Sequence, residues 1–168
     1  MDVFIEQIVA RKKDIKDMLI YTAIAAVNAL VIYLSFSISI LKYIVLLIIL
    51  GLAYGDYFLA ITRNIEFEYM VTNGDLDIDT IISKKKRKRI LSVSVKDFEV
   101  IASLKSDKLT SDIQQIKNVI HTESSPSADG LYFGVVNYKG ARTVVVMEPS
   151  EKVLNALRSA APRKVFID

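Results

Sequence analysis

Two patterns of apolar residues divide the chain near residue 63. Met18 to Leu41 run 24 residues without a charge, between Asp17 and Lys42, and Tyr43 to Thr62 add 20 more, interrupted only by Asp56 and closed by Arg63. A helix needs about 20 apolar residues to cross about 30 Å of hydrocarbon. Helices of soluble domains keep a polar face, which neither stretch has. The pattern predicts two transmembrane helices, about 18–36 and 40–62, joined by a tight turn within Phe36–Leu41. Ahead of them, Phe4, Ile5, Ile8, Val9 and Ile15 share one side of a helical wheel, with charges mostly opposite. Residues 1–17 are therefore expected to form an amphipathic cytoplasmic helix lying along the membrane interface.

From Ile65 the period changes from helical to two. Ile65, Phe67, Tyr69 and Val71 alternate with Glu66, Glu68 and Thr72, and Asn73-Gly74 is a strong hairpin signal. A second strand follows through Leu76, Ile78, Ile81 and Ile82, and a third at Ile90–Val95, giving an antiparallel meander. The polar stretch Ser103–Gly130 predicts a short helix or turn near Ser111–Lys117, a strand near Asn118–Thr122 and then a loop. Two strands, Leu131–Asn137 and Arg142–Met147, flank a turn at Lys139-Gly140. A helix over 149–161 starts at Pro149, buries Val153, Leu154, Leu157 and Ala161, and stops at Pro162. About six strands thus end in one amphipathic helix, and residues 63–168 form one cytoplasmic β domain.

Composition sharpens this division. Of 168 residues 52% are hydrophobic, an excess that belongs to the apolar stretches. Basic residues near the span ends, Arg11, Lys12, Lys13 and Lys16 before the first, Arg63 and Lys84–Arg89 after the second, outnumber the single Lys42 of the turn. The positive-inside rule then sets both termini in the cytoplasm of a multi-pass cell-membrane protein. With no cysteine and one histidine, His121, thiolate metal sites and a cysteine nucleophile are excluded. No GxSxG, GxxxxGK[ST] or HExxH occurs, so neither an enzyme nor a cofactor is expected. His121, with Ser124 and Asp129 nearby, reads as solvated, and the alternating Glu66 and Glu68 as an exposed strand face.

Four residues stand out in the spans. Gly51 and Gly55 form a GxxxG pair suited to close helix packing, and Asn28, roughly level with Gly51, is placed to hydrogen-bond across the hairpin. Asp56 reads as a structural carboxylate near the headgroups, bonded to Thr22 or Tyr21, rather than as part of a proton relay.

The sharpest polar feature is the run Lys84, Lys85, Lys86, Arg87, Lys88, Arg89. Beneath a membrane it would face anionic headgroups, each basic residue contributing up to about 1 kcal/mol. Residues 63–168 hold 17 Lys and Arg against 14 Asp and Glu, so without the run they are net negative, and nucleic acid is not the expected partner. Asp75, Asp77 and Asp79 lack the Gly and Glu of a calcium loop. They read as a solvated strand face, or as counter-charges to the run.

The two spans followed by YMVTNGDLDI and a basic segment before the third strand resemble membrane-anchored bacterial proteins with a pleckstrin-homology-like domain, a bent sheet closed at one end by a C-terminal helix. That likeness covers about residues 65–161. The whole chain, in KKRKRILSVSVKDFEV and VVVMEPSEKVLNAL especially, is similar to a family of small two-transmembrane proteins from Gram-positive anaerobes. Neither resemblance implies an activity. The fold expected is α+β, a transmembrane hairpin followed by a small antiparallel β domain. The function expected is that of a non-enzymatic adaptor or scaffold at the cytoplasmic face, binding a protein partner, lipid headgroups or both. The alternative is an accessory subunit of a larger membrane complex, such as a transporter, bound through the hairpin.

Overall fold

The computed structural model describes residues 4–167. It divides into two compact units, residues 12–64 and the remainder.

The first unit is a helical hairpin. Helix α1 (Ile15–Ser37) and helix α2 (Val45–Thr62) are joined through a single 3-10 turn at Leu41–Tyr43. The turn therefore lies slightly later than the apolar pattern suggests. Both helices are long and apolar enough to cross a membrane, and almost none of their surface is buried within the chain, unlike a core helix of a soluble protein. Asp14 caps α1 and Asp17 reciprocates, its carboxylate accepting from the Asp14 N–H at 3.1 Å. The same Asp17, nearly buried, accepts from Arg63 Nε at 2.7 Å just past the end of α2, which pins the open end of the hairpin.

The second unit contains two four-stranded sheets. Strand β1 (Phe4–Ala10) pairs antiparallel with β2 (Ile65–Thr72), which continues to β3 (Asp75–Ile82) and β4 (Lys86–Ser94). The expected amphipathic helix over 1–17 is thus wrong over residues 4–14; residues 1–3 lie outside the described residues. Phe4–Ala10 is a strand, and only residues from Ile15 onward are helical. Seven residues are too few to separate the two periods, and the deciding partner strand lies beyond the entire hairpin. In this strand Ile5, Gln7 and Val9 face inward: Val9 is buried, and Gln7 bridges Glu148 O (2.9 Å) and the Ser150 N–H (2.7 Å).

The second sheet runs β5 (Phe98–Ser103), β7 (Tyr132–Tyr138), β8 (Ala141–Met147), β6 (Asn118–His121). Strand β6 lies parallel to β8, so the domain is not wholly antiparallel, and there are two sheets rather than one closed sheet. One apolar core joins Tyr69, Leu76, Ile78 and Leu91 of the first sheet to Ile101, Val136 and Val145 of the second. Helix α4 (Glu151–Ala160) seals it with Val153, Leu154 and Leu157. Ser150, not Pro149, opens that helix: its hydroxyl caps the Val153 N–H. The polar stretch after Ser103 holds a single turn of helix, α3 (Ser111–Gln114), whose Ile113 covers Phe133, Val135 and Val144 on the other face of the second sheet. The turns at Asn73-Gly74 and Lys139-Gly140 form with left-handed φ at all four residues.

Candidate functional site

The basic run straddles the turn between β3 and β4. Ser83 and Lys84 take left-handed φ of 56° and 57°, and the Lys85 N–H donates to Ile82 O at 3.1 Å. Lys86 to Arg89 then belong to β4, so the side-chain alternation of a strand separates these four charges. Arg87 and Arg89 fall on the face that carries Glu68, Asp77 and Asp79. Arg87 Nη1 donates to Glu68 Oε2 at 2.8 Å, and Arg89 bridges Asp79 Oδ1 (2.8 Å) and Asp77 Oδ2 (2.9 Å). Lys84, Lys85, Lys86 and Lys88 remain exposed. Of the six positions expected to meet headgroups, the two arginines are already neutralised by carboxylates, and the lysines are the available charge.

Register places this turn. Arg11 donates its N–H to Ile65 O, Ile65 pairs with Ile82, and Ile82 pairs with Lys86. The basic turn therefore sits at the same end of the sheet at which the chain leaves for α1 and returns from α2. Only residues 11–14 and 63–64 connect strands to helices.

Alternation misled the reading of Glu68 as a solvated residue: its side chain is fully buried. Burial raises its pKa, a hydrogen bond shared with Glu6 raises it further, the Arg87 guanidinium pulls it down, and the charges of Glu6 and Asp79 push it up again. A group whose folded pKa lies above its unfolded value contributes stability that is complete below about pH 4.5 and lost as pH rises through the folded pKa. Glu68→Gln should therefore flatten the decline of domain stability from acid toward neutral pH. Arg87→Ala, which leaves the carboxylate buried without its cation, should cost about 1–3 kcal/mol at pH 7 and less near pH 4.5. Chemical denaturation of both variants across that range measures this. The signal that could have revealed the pairing is the match of Arg87 and Arg89 in phase with the acids of the preceding strands.

In the hairpin, Asn28 Nδ2 donates to Asp56 Oδ2 at 2.7 Å. Two residues singled out separately in the sequence are thus each other's partners. Thr22 instead donates to Met18 O, one turn back in its own helix, and Tyr21 OH has no hydrogen-bond partner among the described residues. Gly51 and Gly55 do not mediate packing between α1 and α2: a Cβ on either would meet nothing within 4 Å. His121 is exposed, but its Nδ1 lies 2.8 Å from Oε1 of the buried Glu123. Next to it, Tyr69 OH donates to Thr122 O (2.6 Å) and accepts from the Glu148 N–H (3.1 Å). Burial, outweighing the opposing bonds to the Glu148 N–H and the Thr122 hydroxyl, pushes the Tyr69 phenol up to about 12. This buried polar node ties β2, β6 and the start of α4 together. Among the described residues no three His, Asp or Glu side chains gather as metal ligands.

A family described as a bacterial PH-like domain (DUF6106) matches residues 1–167. The chain belongs to that family. No curated protein and no solved structure matches it. The DUF6106 match spans the hairpin as well as the strands before and after it, as suits a domain whose first strand precedes its helices. A fold does not by itself fix a function, so any role rests on the sites this chain presents.

Proposed function

We propose that this PH-like protein is a non-enzymatic, membrane-anchored adaptor or scaffold. The hairpin spans the cell membrane with both termini in the cytoplasm, and the domain meets the anionic leaflet through Lys84, Lys85, Lys86 and Lys88. One observation carries this reading: register brings the lysine turn to the sheet end from which the chain enters and leaves the apolar helices. Basic groups act on a charged surface only within about a Debye length, roughly 8–10 Å. The links at that sheet end, residues 11–14 and 63–64, are short, which supports such a distance. Four lysines near an anionic surface contribute up to about 4 kcal/mol together. The alternative, an accessory subunit of a larger membrane complex held through the hairpin, has in its favour the open face over Gly51 and Gly55.

The absence of cysteine provides the test. A spin label at Ser83→Cys in the full chain should be shielded from a water-soluble relaxation agent in nanodiscs containing phosphatidylglycerol, and open to it in phosphatidylcholine alone. Replacing Lys84, Lys86 and Lys88 by Glu should remove the difference. Equal shielding in both lipids would refute the contact. In intact cells the same cysteine should react with a membrane-impermeant maleimide only after lysis; reaction before lysis would reverse the topology.

A further inference from the structure

At the opposite end of the first sheet, where the Asn73-Gly74 turn faces α4, a cleft of about 730 Å³ opens between helix and strands. That volume lies within the usual range for binding sites, about 300–1,000 Å³. Its floor is apolar and shallow: Ile5, Val71, Ala156 and Ala160. Small residues are needed here, because a Cβ at Gly74 would already stand 3.4 Å from that of Ala160. Its rim carries Lys96 and Lys152 beside the amide of Asn155, and among the described residues no acidic side chain lines it.

Among the described residues neither Lys96 nor Lys152 forms an ion pair, a state they share with the lysines of the basic turn; what sets these two apart is that they stand together on one rim over an apolar floor. The residues of α4 that face the cleft, Lys152, Asn155, Ala156, Ser159 and Ala160, recur at helical spacing beside the stripe that seals the core. The helix therefore has a second organised face, polar at the rim and small in the middle. Two exposed cations, unpaired among the described residues, over an aliphatic floor complement one kind of occupant, an extended chain with carboxylates at its flanks and a small aliphatic side chain between them.

We infer that this cleft docks an acidic peptide segment of a protein partner, its carboxylates over Lys96 and Lys152 and its aliphatic side chain on Ile5 and Ala156. An adaptor requires such a partner, and the site deepens that reading. It is tested apart from the lipid contact, because binding is measured in nanodiscs of neutral lipid.

The full chain in phosphatidylcholine nanodiscs, with methyl-labelled Ile and Ala, is titrated with the blocked hexapeptide EELAEE. The methyl signals of Ile5, Ala156 and Ala160 should shift, and the uncharged analogue QQLAQQ should bind at least tenfold more weakly. Lys96→Gln with Lys152→Gln should produce the same loss while leaving unbound spectra elsewhere unchanged, and Ala156→Leu should block the floor. Lys84→Gln with Lys86→Gln should leave binding intact. Equal binding of the uncharged peptide overturns the inference, as does loss of binding on substitution of Lys84 and Lys86. Saturable shifts of the same size with inorganic phosphate alone also overturn it, since they describe a subsite for small oxyanions and not a peptide dock.

Discussion

Deleting residues 1–62 should leave a PH-like domain that does not fold stably, whereas joining Arg11 directly to Ile65 through Asn-Gly should restore it. The first sheet begins with Phe4–Ala10, whose every residue pairs with β2. Removing that strand exposes the core around Val9 and frees Glu148 O and the Ser150 N–H from Gln7. It also turns β2 into an edge, which invites pairing between chains. The combined loss of apolar burial and ladder bonds is of the order of 5 kcal/mol, comparable with the whole stability of a small domain. The rescue follows from the register. Arg11 and Ile65 already face one another, with the Arg11 N–H donating to Ile65 O, and a two-residue type I′ turn bridges such a pair. The expected result is aggregation or molten behaviour for residues 63–168 alone. The joined chain of residues 1–11 and 65–168 should unfold cooperatively with dispersed amide resonances. A sharp thermal transition of residues 63–168 at the temperature of the joined chain would show that β1 is dispensable.

The second large effect is expected inside the core. Gly134→Ala in β7 should destabilise the domain by about 1–3 kcal/mol, the usual range for overpacking a close-packed interior. An added Cβ would stand 2.6 Å from Phe98 Cε1 and 2.9 Å from Cδ1, closer than carbon atoms approach without something moving. Phe98 is fully buried, so its ring has no open space to turn into. Phe98→Leu removes Cε1, the nearer of the two atoms in conflict, and leaves a smaller side chain that can turn aside. Alone it should also destabilise, but combined with Gly134→Ala it should cost less than the two single changes summed. Urea denaturation of the joined domain provides all four stabilities. Simple additivity would mean that the ring does not set the requirement for glycine.

These two predictions mark where sequence reasoning succeeded and where it failed. The hairpin turns at Asn73-Gly74 and Lys139-Gly140 and the burial of Val153, Leu154 and Leu157 were all legible, because each is written within a few neighbouring residues. So was the presence of two long apolar helices. The leading strand was not. Phe4, Ile5, Ile8 and Val9 satisfy a helical wheel, and only β2, met 55 residues after β1 ends, selects the extended form. The candidate site divided in the same way. The lysine turn was visible as a run of charge. The commitment of Arg87 to Glu68 and of Arg89 to Asp77 and Asp79 depends on strand order and phase across three strands. Glu68 looked like any alternating surface acid until its neighbours closed over it.

The sequence by itself determined which segments are apolar throughout, where the chain turns and how much charge it carries, since period, turn chemistry and composition are local quantities. Tertiary structure alone decided that the domain begins before the hairpin, which cations are already paired, and that Gly134 has no room for a methyl group. Each of these depends on contact between residues far apart in the chain, and no local pattern records which of them will meet.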